Sequence, residues 1–159
     1  QWAIDGRIVE VKYGDWAGKA IKDLTKDPLW RVVQAQPSAV QFPGGERMAD
    51  MQARGVAAVR EWDAKLGPDA VWVACSHGDV IKAILADAYG IHLDLFQRIV
   101  ADPCSVSIVR YTDTRPFVLR TNDIGGELAS LAPPPRKTRR RKSPADDATL
   151  GGGAGAGSV

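Results

Sequence analysis

Ser76-His77-Gly78 stands between an apolar run, Ala70 to Cys75, and a second apolar segment that opens at Val80. A histidine at such a turn sits at the carboxyl end of a strand, where open α/β sheets bind ligands. The backbone N–H groups of the helix that follows point into the same space and favour an anion. An imidazolium there adds a positive charge and a donor for a phosphoryl oxygen. The plainer alternative is a histidine that only caps or packs. Glu10 is the second candidate, because a carboxylic acid beside a phosphate site can protonate a leaving oxygen. Most glutamates, however, are solvated surface charges.

Pro43-Gly44-Gly45-Glu46 is the third feature. Its glycines allow a tight turn into a long helix, and Glu46 suits that helix's first turn through the helix dipole. A structural role is enough to explain it. Arg54 lies two turns further on, facing either a site or solvent. Two other constellations fail. Cys75, His77, His92 and Cys104 lack metal-ligand spacing. Ser76 and His77 are adjacent, so they do not form a nucleophile–base pair.

The elements that must position these residues follow from periodicity. Residues 1–18 read as extended or loop-like, with a possible short strand from Arg7 to Tyr13. Ala17 to Thr25 is weakly helical. Asp27-Pro28 predicts a helix start, with Asp as cap and Pro at the first position. That helix carries Leu29, Val32 and Val33 and ends before Pro37. A long helix is expected from about Glu46, with Met48, Met51, Gly55, Val59, Trp62 and Leu66 on one face. Gly67-Pro68 ends it. Ala70–Cys75 has the length and composition of a buried central strand. After the turn at residues 76–79, Val80, Ile81, Ile84, Leu85 and Ala88 mark the inner face of another helix that ends at Gly90. Ser105 to Thr112 and Pro116 to Thr121 read as a hairpin or two adjacent strands. Strand, turn and helix in succession point to an α/β fold.

Bulk composition narrows the function classes. The chain has 159 residues, 45% hydrophobic and 25% charged, ordinary for a globular protein. Residues 133–159 hold six basic and two acidic residues, net +4, while the whole chain is +2. The body is therefore mildly acidic, which argues against a wholly basic nucleic-acid-binding surface. Residues 131–159 combine Pro133-Pro134-Pro135, a basic run and a glycine-rich end, a composition expected to be disordered. Residues 1–130 form the expected domain. Arg136 to Lys142 could bind nucleic acid or another polyanion nonspecifically, but such a run is more often a solvated extension. Two widely spaced cysteines suggest reduced thiols and a cytoplasmic setting. No stretch is long and apolar enough to span a membrane.

Taken together, three motifs carry a resemblance. Glu10-Val-Lys-Tyr13-Gly14-Asp15-Trp16-Ala-Gly18 resembles the acid-bearing motif of the histidine phosphatase superfamily, which includes the cofactor-dependent phosphoglycerate mutases. Phe42-Pro43-Gly44-Gly45-Glu46, with Arg54 following, looks like that family's Pro-x-Gly-Glu segment and helix arginine. Ser76-His77-Gly78 looks like its second-histidine motif. The resemblance covers residues 5 to about 122 and implies a three-layer α/β/α phosphoglycerate mutase-like sandwich.

It also implies phosphoryl transfer through a phosphohistidine. His77 and Gly78 would hold phosphoryl oxygens and His77 would stabilise transition-state charge. Glu10 would act as general acid, then as base. Tyr13, Gly14, Gly45, Glu46 and Arg54 would support them. The partner implied is a small phosphorylated substrate, with no cofactor or metal. The departures are specific. No Arg-His-Gly occurs in the sequence, where His77 and His92 are the histidines, and Arg47 replaces a small polar residue. They suggest an N-terminally truncated sequence lacking about 70–90 residues, or a degenerate paralogue. The isolated chain would then be inactive, with an unpaired apolar strand edge prone to recruit other chains. Trp16 is followed quickly by Pro28 and Pro43, leaving little room for the insertions that enclose a mutase substrate. That favours a phosphatase-like or broad phosphomutase-like site, with phosphomonoester hydrolase and phosphomutase both left open. A phosphate-binding pseudoenzyme or interaction module is the non-catalytic alternative.

Overall fold

Helix α2, Pro28–Ala35, forms where the sequence places it, because Asp27 stays extended and its carboxylate accepts from the Leu29 amide at 2.9 Å. It buries Trp30 and Val33 and stops short of Pro37. These elements belong to a computed structural model that describes residues 2–126. The expected tail, 131–159, and the boundary at 130 lie outside the described residues. The remaining elements are α1 (Ile21–Leu24), α3 (Met48–Leu66), α4 (Gly78–Tyr89), β1 (Val106–Arg110) and β2 (Phe117–Asp123). Single 3-10 turns occur at Gly6–Ile8, Gly14–Trp16 and Pro37–Ala39, and a longer one at Leu93–Arg98.

In α3 the expected stripe is buried at Met48, Met51, Gly55 and Val59. It runs out onto the surface at Leu66, which is 46% exposed. The helix begins at Met48 with Arg47 as its extended cap, so Glu46 precedes it rather than occupying its first turn. Gly55 lets α3 approach α4, since a methyl there would sit 3.3 Å from Val80 Cγ1. Helix α4 is capped by His77 and terminated by Gly90 in the left-handed region. It is more deeply buried than one apolar face requires: Asp79, Lys82, Ala83 and Ala86 are buried along with Val80, Leu85 and Ala88.

The core joins α2, α3 and α4 around Val33, Val40, Phe42, Met48, Met51, Val80, Leu85 and Phe96. Each such side chain contributes roughly 1.5–3 kcal/mol by leaving water. Strands β1 and β2 form the expected antiparallel hairpin, with Val109 opposite Val118. Those two valines pack on the core, and β2 lies against α4. Val106, Ile108, Phe117 and Leu119 point the other way and are exposed.

Two expected strands are not strands. Ala70–Cys75 carries no ladder, and instead of being buried Val71 is 98% and Val73 85% exposed. A strand exists only through hydrogen bonds to a neighbour, and among the described residues β1 and β2 pair with each other and nothing pairs with this segment. Arg7 to Tyr13 likewise forms no ladder. Its carbonyls are taken by a side chain of α3, described next.

Candidate active site

The segment bearing Glu10 is held by Arg54 and Glu46. Arg54 Nη1 donates to the carbonyls of Arg7 (2.7 Å) and Val9 (2.9 Å), and Nη2 to that of Glu10 (3.2 Å). The same guanidinium grips both oxygens of Glu46, Nε to Oε2 at 3.0 Å and Nη2 to Oε1 at 2.7 Å. Glu46 meets the Lys12 backbone twice: its Oε1 accepts from the Lys12 amide (2.8 Å), and its own amide donates to the Lys12 carbonyl (2.9 Å). Burial works to raise the Glu46 pKa, but Arg54 and the Lys12 amide outweigh it, so its carboxyl is held below the ordinary glutamate value. Arg54 is thus mostly withdrawn from solvent and spent on Glu46 and on three backbone carbonyls. It fixes backbone.

Gly14 and Gly45 allow the two loops to cross. Gly14 has φ +56°, and a methyl on it would collide with the carbonyl of Pro43. A methyl on Gly45 would collide with the Lys12 carbonyl. The Asp15 amide closes the crossing with a 2.7 Å bond to the Pro43 carbonyl. Aromatic packing fixes the rest of the motif: Tyr13 and Trp16 meet Phe42 edge-on at 5.2 and 5.4 Å, and Trp16 stacks on Trp30.

His77 and Glu10, 67 positions apart, are brought to the same place, the N-terminus of α4. Ser76 ties the two chains together by donating to the Ile8 carbonyl at 2.7 Å. His77 is exposed, its backbone extended and its ring uninvolved in capping. Gly78 opens the helix, so amides of the first turn have no intrahelical acceptor. The Glu10 carboxyl is half-buried. Burial pushes its pKa up, its bond from the Val11 amide opposes that, the Asp79 charge raises it and the His77 charge lowers it. A cavity of about 220 Å³ opens beside it, lined by Glu10, Tyr13, Trp16, Gly18, Lys19 and Ile21 among others. Glu10 and Tyr13 line this cavity, whereas His77 and Gly78 lie outside its wall, His77 near enough for its charge to act on the Glu10 carboxyl.

Two residues here were not singled out from the sequence. Asp79, read as part of a turn, is a fully buried helix residue that accepts from Tyr13 Oη at 2.8 Å. Lys82, also fully buried, lies 3.2 Å from Asp79 Oδ1 and donates to Gln97 at 2.7 Å. The i,i+3 spacing of Asp79 and Lys82 was the available signal. His92 caps Leu93–Arg98 and engages Asp94. Cys75 and Cys104 are free and exposed. Among the described residues no group of three His, Cys, Asp or Glu is placed to hold a metal ion, and no helix is long and apolar enough to cross a membrane.

This α/β fold is that of solved phosphatases. The chain is 26% identical to Bacillus stearothermophilus YhfR, with a TM-score of 0.68 over 76% of this chain and 61% of that one. It is 23% identical to a mycobacterial glucosyl-3-phosphoglycerate phosphatase complexed with VO3 (TM-score 0.63, covering 75% and 63%). It is 14% identical to a phosphoserine phosphatase mutant from Entamoeba histolytica complexed with phosphoserine (TM-score 0.67, covering 77% and 62%). The chain therefore spans about three-fifths of the length of these structures. No curated protein matches it. The model of the histidine phosphatase superfamily (branch 1) matches residues 1–124. The chain belongs to that superfamily, and its fold is the phosphoglycerate mutase-like α/β fold.

Proposed function

We propose that the protein carrying this sequence transfers phosphoryl groups through a phosphohistidine, as a hydrolase of small phosphomonoesters. The observation that carries the reading is the convergence of Glu10 and His77 at the N-terminus of α4. Glu10 is the general acid toward the leaving oxygen and then the base toward the incoming water. Its pKa is pushed above the ordinary glutamate value by burial, the direction that favours a proton-bearing acid. His77 and the amide of Gly78 hold phosphoryl oxygens and stabilise the charge that spreads over them in the transition state. The nucleophilic histidine lies outside these 159 residues, because the sequence holds no Arg-His-Gly and His92 is engaged elsewhere. The isolated chain is then inactive.

A phosphatase is favoured over a phosphomutase by the short path from Trp16 through α1 and α2, which leaves the cavity beside Glu10 open rather than enclosed. Reduced, exposed Cys75 and Cys104 suit a cytoplasmic setting. The experiment is turnover of p-nitrophenyl phosphate and 3-phosphoglycerate by the product of the whole reading frame. Release of inorganic phosphate supports the hydrolase, and conversion of 3-phosphoglycerate to its isomer supports the mutase. An inert protein that still binds vanadate at His77 supports the second reading, a phosphate-binding pseudoenzyme, which the missing nucleophile motivates.

A further inference from the structure

A buried ion pair under the acid is not explained by packing. Asp79 and Lys82 are both fully buried, one turn apart on α4. Desolvating two charges costs several kcal/mol per ion, and apolar residues of similar volume would serve the core as well. The pair is also imperfectly satisfied. Asp79 Oδ1 has a charge contact with Lys82 but no aligned hydrogen bond, and Gln97 Nε2 has no partner. The other carboxylate oxygen does have a specific use. Asp79 Oδ2 takes the phenol of Tyr13, three residues along the chain from Glu10. Lys82 is fixed in turn by Gln97 and by the Phe96 ring, 4.8 Å away.

We propose that Asp79 is a positioning residue for Glu10: its buried carboxylate, anchored by Lys82, fixes the Tyr13 phenol in the wall of the cavity that Glu10 also lines, while Ser76 holds the Ile8 carbonyl on the other side of the acid. The inference rests on the proposed role of Glu10 for its meaning, but not for its test. The groups facing Glu10 are Asp79 from α4 and His77 from its cap, the Val11 amide and Tyr13 from its own segment, Arg54 through the Glu10 carbonyl, and Lys19 in the cavity wall. Of these, Asp79 is the buried anion. Its carboxylate opposes ionisation of Glu10 and, by accepting from the Tyr13 phenol, ties down the acid-bearing segment three residues further along. The buried Tyr13 phenol resists ionisation, through burial and then the Asp79 charge, so it remains a donor to Asp79.

The test is a carboxyl 13C NMR titration of this chain labelled at glutamate, with Glu10 assigned through Glu10→Gln. The midpoint of Glu10 should lie above that of solvated glutamates. It should fall by about one pH unit in Asp79→Asn, the size expected on losing a near anion. Asp79→Asn leaves Lys82 unpaired and can unfold the chain. The double variant Asp79→Asn/Lys82→Met removes both members of the pair, and a smaller fall should persist there, because Asp79 acts on Glu10 more strongly than Lys82 does. An unchanged midpoint in either folded variant overturns the proposal. The titration needs no substrate, so a failed phosphatase reading leaves it standing, and a failed titration leaves phosphatase activity open.

Discussion

Replacing Arg54 by alanine should loosen the whole acid-bearing segment, and the size of the effect follows from its contacts. The guanidinium makes two charge-assisted bonds to Glu46 and three to backbone carbonyls. Bonds to charged groups contribute about 1.5–3 kcal/mol each when isolated. The Arg54 and Glu46 side chains are 20% and 16% exposed, so water can recover part of the loss, and the bonds act as one unit rather than five. About 3 kcal/mol is the expected destabilisation. With a urea slope near 2 kcal/mol/M for a domain of this size, the unfolding midpoint should drop by roughly 1.5 M. Arg54→Lys should recover only a minor part, because one ammonium cannot span Glu46 and three carbonyls. Native-state hydrogen exchange locates the effect: the Lys12 amide, bonded to Glu46, should lose protection before the amides of α4. A loss below about 0.5 kcal/mol, or Lys12 protection unchanged in Arg54→Ala, would refute the claim that this arginine holds the segment.

Gly14→Ala and Gly45→Ala should each cost more than about 2 kcal/mol, since the added methyl meets backbone rather than a movable side chain. Equal stability by urea unfolding would show that the loops do not cross as described. Glu46 has a depressed folded pKa, so it contributes stability that is present above its unfolded value of 4.5 and lost as pH falls through the folded value. Glu46→Gln should therefore be less stable near neutral pH and show a shallower acid limb. Parallel pH–stability curves for the two proteins would contradict this. Val71 and Val73 lie on an unpaired extended segment, so Val73→Lys should raise the concentration at which the isolated chain stays monomeric in light scattering, with little change in melting temperature. Unaltered association would place the sticky surface elsewhere, the exposed face of the hairpin being the next place to test.

Local signals were legible and partnerships were not. The cap at Asp27, the break at Gly67 and the α3 stripe from Met48 to Val59 are set by neighbours three or four residues away, and they appear where periodicity puts them. Ala70–Cys75 has a strand's composition, but strand formation depends on a second backbone, which composition does not supply. The roles of Arg54 and Glu46 show the same division. Glu46 was expected in the first turn of the helix and Arg54 at a site or in solvent, yet Glu46 sits before the helix and both turn to a loop more than thirty residues upstream. Asp79 fell in the expected turn at residues 76–79, and Lys82 drew no reading. Only the enclosure of α4 on nearly all sides shows them to be buried. That the segments bearing Glu10 and His77 lie near each other, joined by Ser76 on the Ile8 carbonyl, followed from no spacing; only the resemblance implied it.

The central claim is that Glu10 and His77 work on one phosphoryl group. The direct measurement is steady-state hydrolysis of p-nitrophenyl phosphate by the protein made from the whole reading frame, alongside His77→Ala and Glu10→Gln. Loss of a general acid should lower kcat by about 10²–10⁴-fold, and loss of a donor to the transferring group by about 10²–10³-fold, with both variants still folded. Full activity in either folded variant would contradict the account.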